Sequence, residues 1–144
     1  MIGTYLHVGL TVNDLERSKS FYEKYFGFTP VLEKTFPPEF IEGHKALYRE
    51  PAGVFSDMAM LQSTDGNTVL ELFRFSNAAQ GEPAQWHKTG YHHIAIKVDS
   101  VDAHYRAMLA DGVNFFFPPS PKGNSGSFWT FLADPDGNLI ELQD

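Results

Sequence analysis

The sequence has no cysteine, few basic residues and no long apolar run, and each absence excludes a class of protein. Without cysteine there are no disulfides, thiolate metal ligands or cysteine nucleophiles. The 11 Lys and Arg against 18 Asp and Glu give a formal net charge of −7, which argues against nucleic acid or an anionic membrane as partner. No stretch approaches the ~20 apolar residues of a membrane span, and no signal-peptide pattern opens the sequence. A cytoplasmic location is expected.

The 144 residues have the size of one globular domain. Hydrophobic residues make up 42% and charged residues 20%, which is typical of a chain that folds around its own core. Composition does not explain why a chain without cysteine carries six histidines.

Two stretches of sequence occur twice, in the same order. Residues 7–15 resemble residues 93–101, and in both copies a strand pattern leads into a helix pattern. Residues 65–72 resemble residues 136–142, and in both copies an Asp-Gly-Asn turn leads into a strand. The repetition predicts two copies of one β-α-β-β-β unit.

The predicted fold class is therefore α+β, in a single domain made of two modules. Module 1 covers about 1–75 and module 2 about 90–144, joined by a linker at about 76–89. We expect the helices to begin after caps at Asn13 and Asp99 and to end at Gly27 and Gly112. Strands are predicted near 5–12, 29–35, 45–50, 54–61, 68–75, 113–117, 127–133 and 138–143.

Strand alternation assigns the repeated histidines to one face. His7 shares a face with Gly9, opposite an apolar row that begins at Leu6 and is expected to pack under the helix. In the second copy His93 takes the equivalent position, whereas His92 belongs to the helix side. Small residues two positions beyond each histidine leave room for a cavity.

Two repeated glutamates point to a metal site. Glu71 and Glu141 lie on apolar faces of their strands, where an unpaired carboxylate costs several kcal/mol. Taken alone, each is more simply a solvated glutamate, and each strand histidine a hydrogen-bonded core or surface residue. Two imidazoles and two carboxylates at repeated positions instead favour one divalent transition metal: Zn, Ni, Co, Fe or Mn.

These residues resemble the vicinal oxygen chelate superfamily, which includes glyoxalase I, bleomycin-binding proteins, fosfomycin-resistance proteins and extradiol dioxygenases. The resemblance covers essentially the whole chain and rests on 7–10, 14–22, 93–96 and 134–142. It implies that the two modules form a cup-shaped, partly open mixed β-sheet barrel with helices outside. It also implies a homodimer and a small-molecule substrate.

The ligand positions of the family match His7, Glu71, His93 and Glu141. A fourth protein ligand, Glu71, resembles the glyoxalase-like isomerases and disfavours the ring-cleaving dioxygenases, which have three. The resemblance implies a lyase or isomerase, similar to lactoylglutathione lyase, that moves a proton next to a metal-chelated carbonyl. Glu71 or Glu141 would be the catalytic base, and the sequence leaves both open.

Two departures from the bacterial glyoxalase I pattern affect the substrate. Thr11 and Phe75 replace an arginine and an asparagine that hold glutathione in those enzymes. The replacement favours an aromatic or apolar substrate. Six aromatic residues are pocket-lining candidates, although most of them are expected in the core: Phe73, Phe75, Phe115, Phe117, Phe128 and Trp129. The segment 36–44 is expected to contact substrate, a second subunit or only itself. The alternative function is a binding or resistance protein that sequesters a small aromatic molecule.

Overall fold

The structure is a computed structural model that describes residues 1–144. The chain divides into two compact units, Met1–Gln80 and Gly81–Asp144, and the boundary falls within the predicted linker. None of the helices is long and apolar enough to cross a bilayer.

Unit 1 is a four-stranded mixed sheet with three helices. Its elements are β1 (Val8–Thr11), α1 (Leu15–Phe26), β2 (Thr29–Phe36), α2 (Pro38–Gly43), α3 (Lys45–Tyr48), β3 (Ser56–Gln62) and β4 (Val69–Phe75). The strand order is β1-β4-β3-β2, so the first and last strands of the unit are neighbours. They run parallel, whereas the other two pairs are antiparallel.

Unit 2 repeats this topology with one helix. Its elements are β5 (His93–Lys97), α4 (Val101–Ala110), β6 (Ser120–Pro121), β7 (Phe128–Ala133) and β8 (Leu139–Gln143). The order β5-β8-β7-β6 again pairs the first strand with the last in parallel. The α+β class is confirmed, and both sheets are open four-stranded sheets, not closed barrels.

In both main helices the N-terminal cap lies one residue later than predicted. The Asp14 carboxylate accepts from the backbone N–H of Arg17, and the Ser100 hydroxyl accepts from that of Ala103. The predicted caps, Asn13 and Asp99, were wrong because Asp and Ser are equally good caps and stand beside them. Helix α1 ends as predicted at Gly27, whose φ of 67° suits a residue without a side chain.

The core of unit 1 lies between the sheet and α1. Leu70 and Leu72 of β4, together with Tyr22 of α1, are fully buried. The predicted apolar row of the first strand is shorter than expected, because β1 begins at Val8 and Leu6 is 71% exposed. The rest of the row ends as predicted with the buried Val12.

The repeated Asp-Gly-Asn turns are built by their aspartates. Asp65 accepts from the Ser63 hydroxyl and the Asn67 backbone N–H, and these bonds hold the pKa of its carboxyl below the usual value. Asp134, which is buried, accepts from the backbone N–H and the side-chain amide of Asn138. The turns lead into β4 and β8, which are inner strands of their sheets.

Two predicted strands were wrong. Residues 45–50 form α3 and its C-terminal cap, which follow directly on α2. Residues 113–117 form only one isolated bridge, Phe115 to Leu132, and the edge strand is the two-residue β6 instead. The adjacent Pro118 and Pro119 have no N–H to donate, so a longer ladder cannot form there.

Candidate metal centre

The parallel strand pairs place one histidine beside one glutamate in each unit. Gly9 is the register partner of Glu71, and Ala95 is the register partner of Glu141. His7 and His93 stand two residues before these small residues. His93 is the first residue of β5, whereas His7 directly precedes β1.

The two pairs have closely similar geometry. His7 Nε2 lies 3.0 Å from Glu71 Oε2, and His93 Nε2 lies 3.4 Å from Glu141 Oε2. The glutamate side chains are only 16% and 15% exposed, whereas the histidines are 40% and 25% exposed. Each unit therefore presents one nitrogen and one oxygen donor whose carboxylate is largely withdrawn from water.

Within each unit, the nitrogen and the oxygen of the His–Glu pair are as far apart as two neighbouring ligands of a metal ion. Two neighbouring ligands at about 2.1 Å from an octahedral metal are about 3.0 Å apart, and at tetrahedral angles about 3.4 Å apart. Imidazole and carboxylate are the ligands that Zn, Ni, Co, Fe and Mn accept. No group of three or more histidine or acidic side chains that could hold a metal occurs in the structure. Of the four predicted ligands, the structure brings together His7 with Glu71 and His93 with Glu141, one pair in each unit.

Aromatic residues hold the second histidine in place. The Trp86 ring stacks on His93 at 5.3 Å between centroids, and the Phe131 ring meets it edge-on at 5.1 Å. His92 Nδ1 lies 2.7 Å from His93 Nδ1, which leaves His93 Nε2 free to face Glu141. The orientation of the His93 ring is therefore fixed from three directions.

Two of these neighbours were not predicted. Trp86 was placed in the linker and His92 on the helix side of its strand. Because β5 begins only at His93, strand alternation does not govern His92, and its ring turns toward His93. The only sequence signal was the His-His dipeptide itself, which gives no direction.

The two glutamates differ in their second oxygen. Gln143 Nε2 donates to Glu141 Oε1 at 2.7 Å, so both oxygens of Glu141 have partners within unit 2. For Glu71 the corresponding contact is with His7 alone, and this glutamate lines an open cleft. The two glutamates are about equally buried, so they differ in the partner of the second oxygen and in the cleft that Glu71 lines.

The open cleft belongs to unit 1 and has a volume of about 780 Å³. We call it the aromatic cleft, because five of its lining residues carry aromatic rings: Phe36, Phe40, Tyr48, Phe73 and Phe75. Its polar residues include Thr11, Glu50 and Glu71. Phe73 packs beside Gly9, and its Cε2 would be in ordinary van der Waals contact, at 3.7 Å, with a Cβ at that position. Of the six pocket-lining candidates, Phe73 and Phe75 line this cleft.

The family model of the Glyoxalase/Bleomycin resistance protein/Dioxygenase superfamily matches residues 4–142, and the chain belongs to this superfamily. A lactoylglutathione lyase of Haemophilus influenzae is 32% identical over 95% of this chain and 89% of its own.

Solved structures with the same fold agree with this membership. A glyoxalase family protein from Bacillus cereus has a TM-score of 0.83 at 20% identity, over 99% of this chain and 94% of its own. A fosfomycin resistance protein from Listeria monocytogenes, complexed with Mn(II), has a TM-score of 0.68 at 20% identity, over 99% and 92%.

Proposed function

We propose that the chain is a metal-dependent lyase or isomerase that moves a proton next to a carbonyl group of a small-molecule substrate. The metal ligands are His7, Glu71, His93 and Glu141. The observation that carries the proposal is the His–Glu pair that recurs at the same register position in both units, with the nitrogen and oxygen of each pair as far apart as two neighbouring ligands of a metal ion. The similarity to lactoylglutathione lyase supports the reaction class.

The cofactor in this proposal is a divalent transition metal: Zn, Ni, Co, Fe or Mn. The Mn(II) complex of the fosfomycin resistance protein with the same fold supports this choice. When bound, such an ion polarises a carbonyl oxygen and makes the neighbouring C–H more acidic.

Glu71 is the better candidate for the catalytic base. It lines the aromatic cleft, so a substrate in the cleft meets its carboxylate, whereas Gln143 holds the second oxygen of Glu141. A base must reach the proton that it removes within hydrogen-bond distance. We assign proton transfer to Glu71 and a purely ligating role to Glu141.

The lining of the cleft supports an aromatic or apolar substrate and argues against glutathione. Phe75 and Thr11, which replace the glutathione-binding residues of the bacterial enzymes, both line the cleft. A second candidate function, sequestration of a small aromatic molecule, is favoured by the same aromatic lining. The proposal includes a homodimeric assembly and a cytoplasmic location.

Metal loading followed by proton exchange tests the proposal. Chelator-treated protein is titrated with Mn²⁺, Co²⁺, Ni²⁺, Zn²⁺ and Fe²⁺, and about one equivalent per chain is expected for the best ion. The loaded protein should then exchange the C–H proton of the hemithioacetal of phenylglyoxal and a neutral thiol with D₂O, followed by NMR. Less than about a tenth of an equivalent of every metal would contradict the proposal. Full loading without exchange would favour sequestration.

His92 is expected to support metal binding without touching the metal. Its hydrogen bond to His93 Nδ1 fixes the ring so that Nε2 faces Glu141. Because partners of ligating histidines contribute to affinity, His92→Phe should weaken metal binding by about 10- to 100-fold. Competition with a chromogenic chelator measures the change.

A matched histidine controls for the loss of an imidazole. His87→Phe removes an exposed ring that has no contact with His93 among those described above, and its metal affinity should stay at that of the natural chain. Equal affinities for the His92 and His87 variants would show that the hydrogen bond does not orient the ligand.

A further inference from the structure

We infer that the aromatic cleft selects a substrate whose aromatic body ends in a positively charged nitrogen group, which Glu50 recognises. The inference rests on the proposed function, because it gives the reacting end of the substrate to Glu71. It adds the chemistry of the opposite end.

The charged residues that line the cleft are all acidic. Its lining includes two carboxylates, Glu50 and Glu71, and no lysine, arginine or histidine. Basic residues of the adjoining segment, Lys45 and Arg49, do not line it. Lys34 lies with its Nζ 4.5 Å over the Phe36 ring, also outside the lining. Apart from a metal held at Glu71, an anionic ligand would find no cation among the lining residues to pair with it.

The two carboxylates stand at opposite ends of an aromatic wall. Glu71, Phe73 and Phe75 alternate along one face of β4, so the wall from 71 to 75 is roughly 13 Å long. The Phe73 and Phe75 rings have a stacked arrangement, and their centroids are 6.3 Å apart. Beyond Phe75, Asn77 Nδ2 donates to Glu50 Oε2 at 2.7 Å and holds that carboxylate at the far end.

The rings near Glu50 form the sides of a cation site. The Tyr48 ring lies 6.0 Å from Phe75 and 6.4 Å from Phe40, at tilted angles. Tyr48 and Glu50 are half-buried, so a group that enters between them loses part of its water. Ring faces and a carboxylate together attract an organic ammonium, and the attraction strengthens as water is excluded.

The length of the wall fixes the size of the occupant. A group that reacts beside Glu71 and is recognised by Glu50 must carry one or two rings between its ends. The chemical class is therefore an aromatic amine or quaternary ammonium compound with a carbonyl at the other end.

Three probes of one size test this inference on the metal-free, full-length protein: naphthylmethylammonium, naphthalenemethanol and naphthoate. Calorimetry should give the ammonium at least about tenfold tighter binding than the carboxylate, with the alcohol between them. Glu50→Gln keeps the acceptor for Asn77 and should reduce the ammonium-to-carboxylate ratio by about three- to tenfold. Naphthoate that binds as tightly as the ammonium would overturn the inference.

Two further variants assign the effect to the cleft. Phe75→Leu should weaken all three probes, and the ammonium most, because it removes ring contact from each of them and one ring of the cation site. Glu82→Gln removes the same charge from an exposed residue, and it should leave the ammonium-to-carboxylate ratio unchanged. A ratio unchanged in Glu50→Gln, or probes insensitive to Phe75→Leu, would refute the assignment.

Failure of this inference is separable from failure of the proposed function. The probe measurements need no metal, and metal loading of the same preparation is measured independently. Cation preference without metal loading would support the cleft chemistry and refute the metal-dependent reaction. Metal loading with proton exchange but without cation preference would support the metal-dependent reaction and refute the cleft chemistry.

Discussion

A Glu71→Gln variant should bind divalent metal at least about 100-fold more weakly than the natural chain and should lose proton exchange. The amide is neutral, so it is a poor metal ligand, and it cannot take up a proton. Glutamine has nearly the shape of glutamate, and the side chain lies beside His7 at the edge of an open cleft, so the fold should be kept. Chelator competition gives the affinity, and NMR in D₂O gives the exchange rate.

The comparison with Glu141→Gln separates the two roles. Glu141 lies beside His93 but has its second oxygen held by Gln143. Its variant should lose metal affinity to a similar degree and regain measurable exchange at saturating metal, whereas Glu71→Gln should not. The exposed Glu82→Gln is the control for charge. Exchange in the Glu71 variant at saturating metal would show that the base is another group.

The largest expected effect on stability is that of Leu72→Ala, a loss of about 2–5 kcal/mol in the free energy of unfolding. Leu72 is fully buried in β4, where its register partners are Leu10 and Ala59. A cavity there removes contacts with both neighbouring strands, and the rigid sheet cannot close it. Urea denaturation followed by far-UV circular dichroism measures the change.

The matched control is Leu6→Ala, in the same unit. Its side chain is 71% exposed, so we expect a change within about 0.5 kcal/mol. Similar losses in the two variants would mean that Leu6 packs as the strand pattern predicts and not as the structure shows. A loss below about 1 kcal/mol in Leu72→Ala would contradict the burial of β4.

The predictable part of the fold lies in its repeated, periodic segments. Helix α1 and the strands β4 and β8 follow from helical or alternating spacing bounded by Gly27 or by Asp-Gly-Asn turns. The segment from Pro37 to Tyr48 was missed because its helices are too short to show a period. Proline at the first helical position was the available signal for α2.

The candidate site divides in the same way. Alternation along the predicted strands is the sequence signal that grouped the two His–Glu pairs, although His7 directly precedes β1 in the structure. Trp86 and His92 come from the irregular segment before β5, where no period fixes the direction of a side chain. Glu50 and Tyr48 reach the aromatic cleft from the misassigned helical segment. The direction of a side chain outside a helix or strand therefore could not be predicted from the sequence.

The pairing of first and last strands has a consequence for synthesis. In each unit the first strand, which carries or adjoins the histidine, pairs with the last strand, which carries the glutamate. The first strand therefore cannot pair until the last strand of the unit has left the ribosome. Such distant contacts make folding slow and expose β3 and β7 edges meanwhile. We expect nascent chains that stop before β4 to be substrates for chaperones, and unit 1 to become protease-resistant only once Phe75 has emerged.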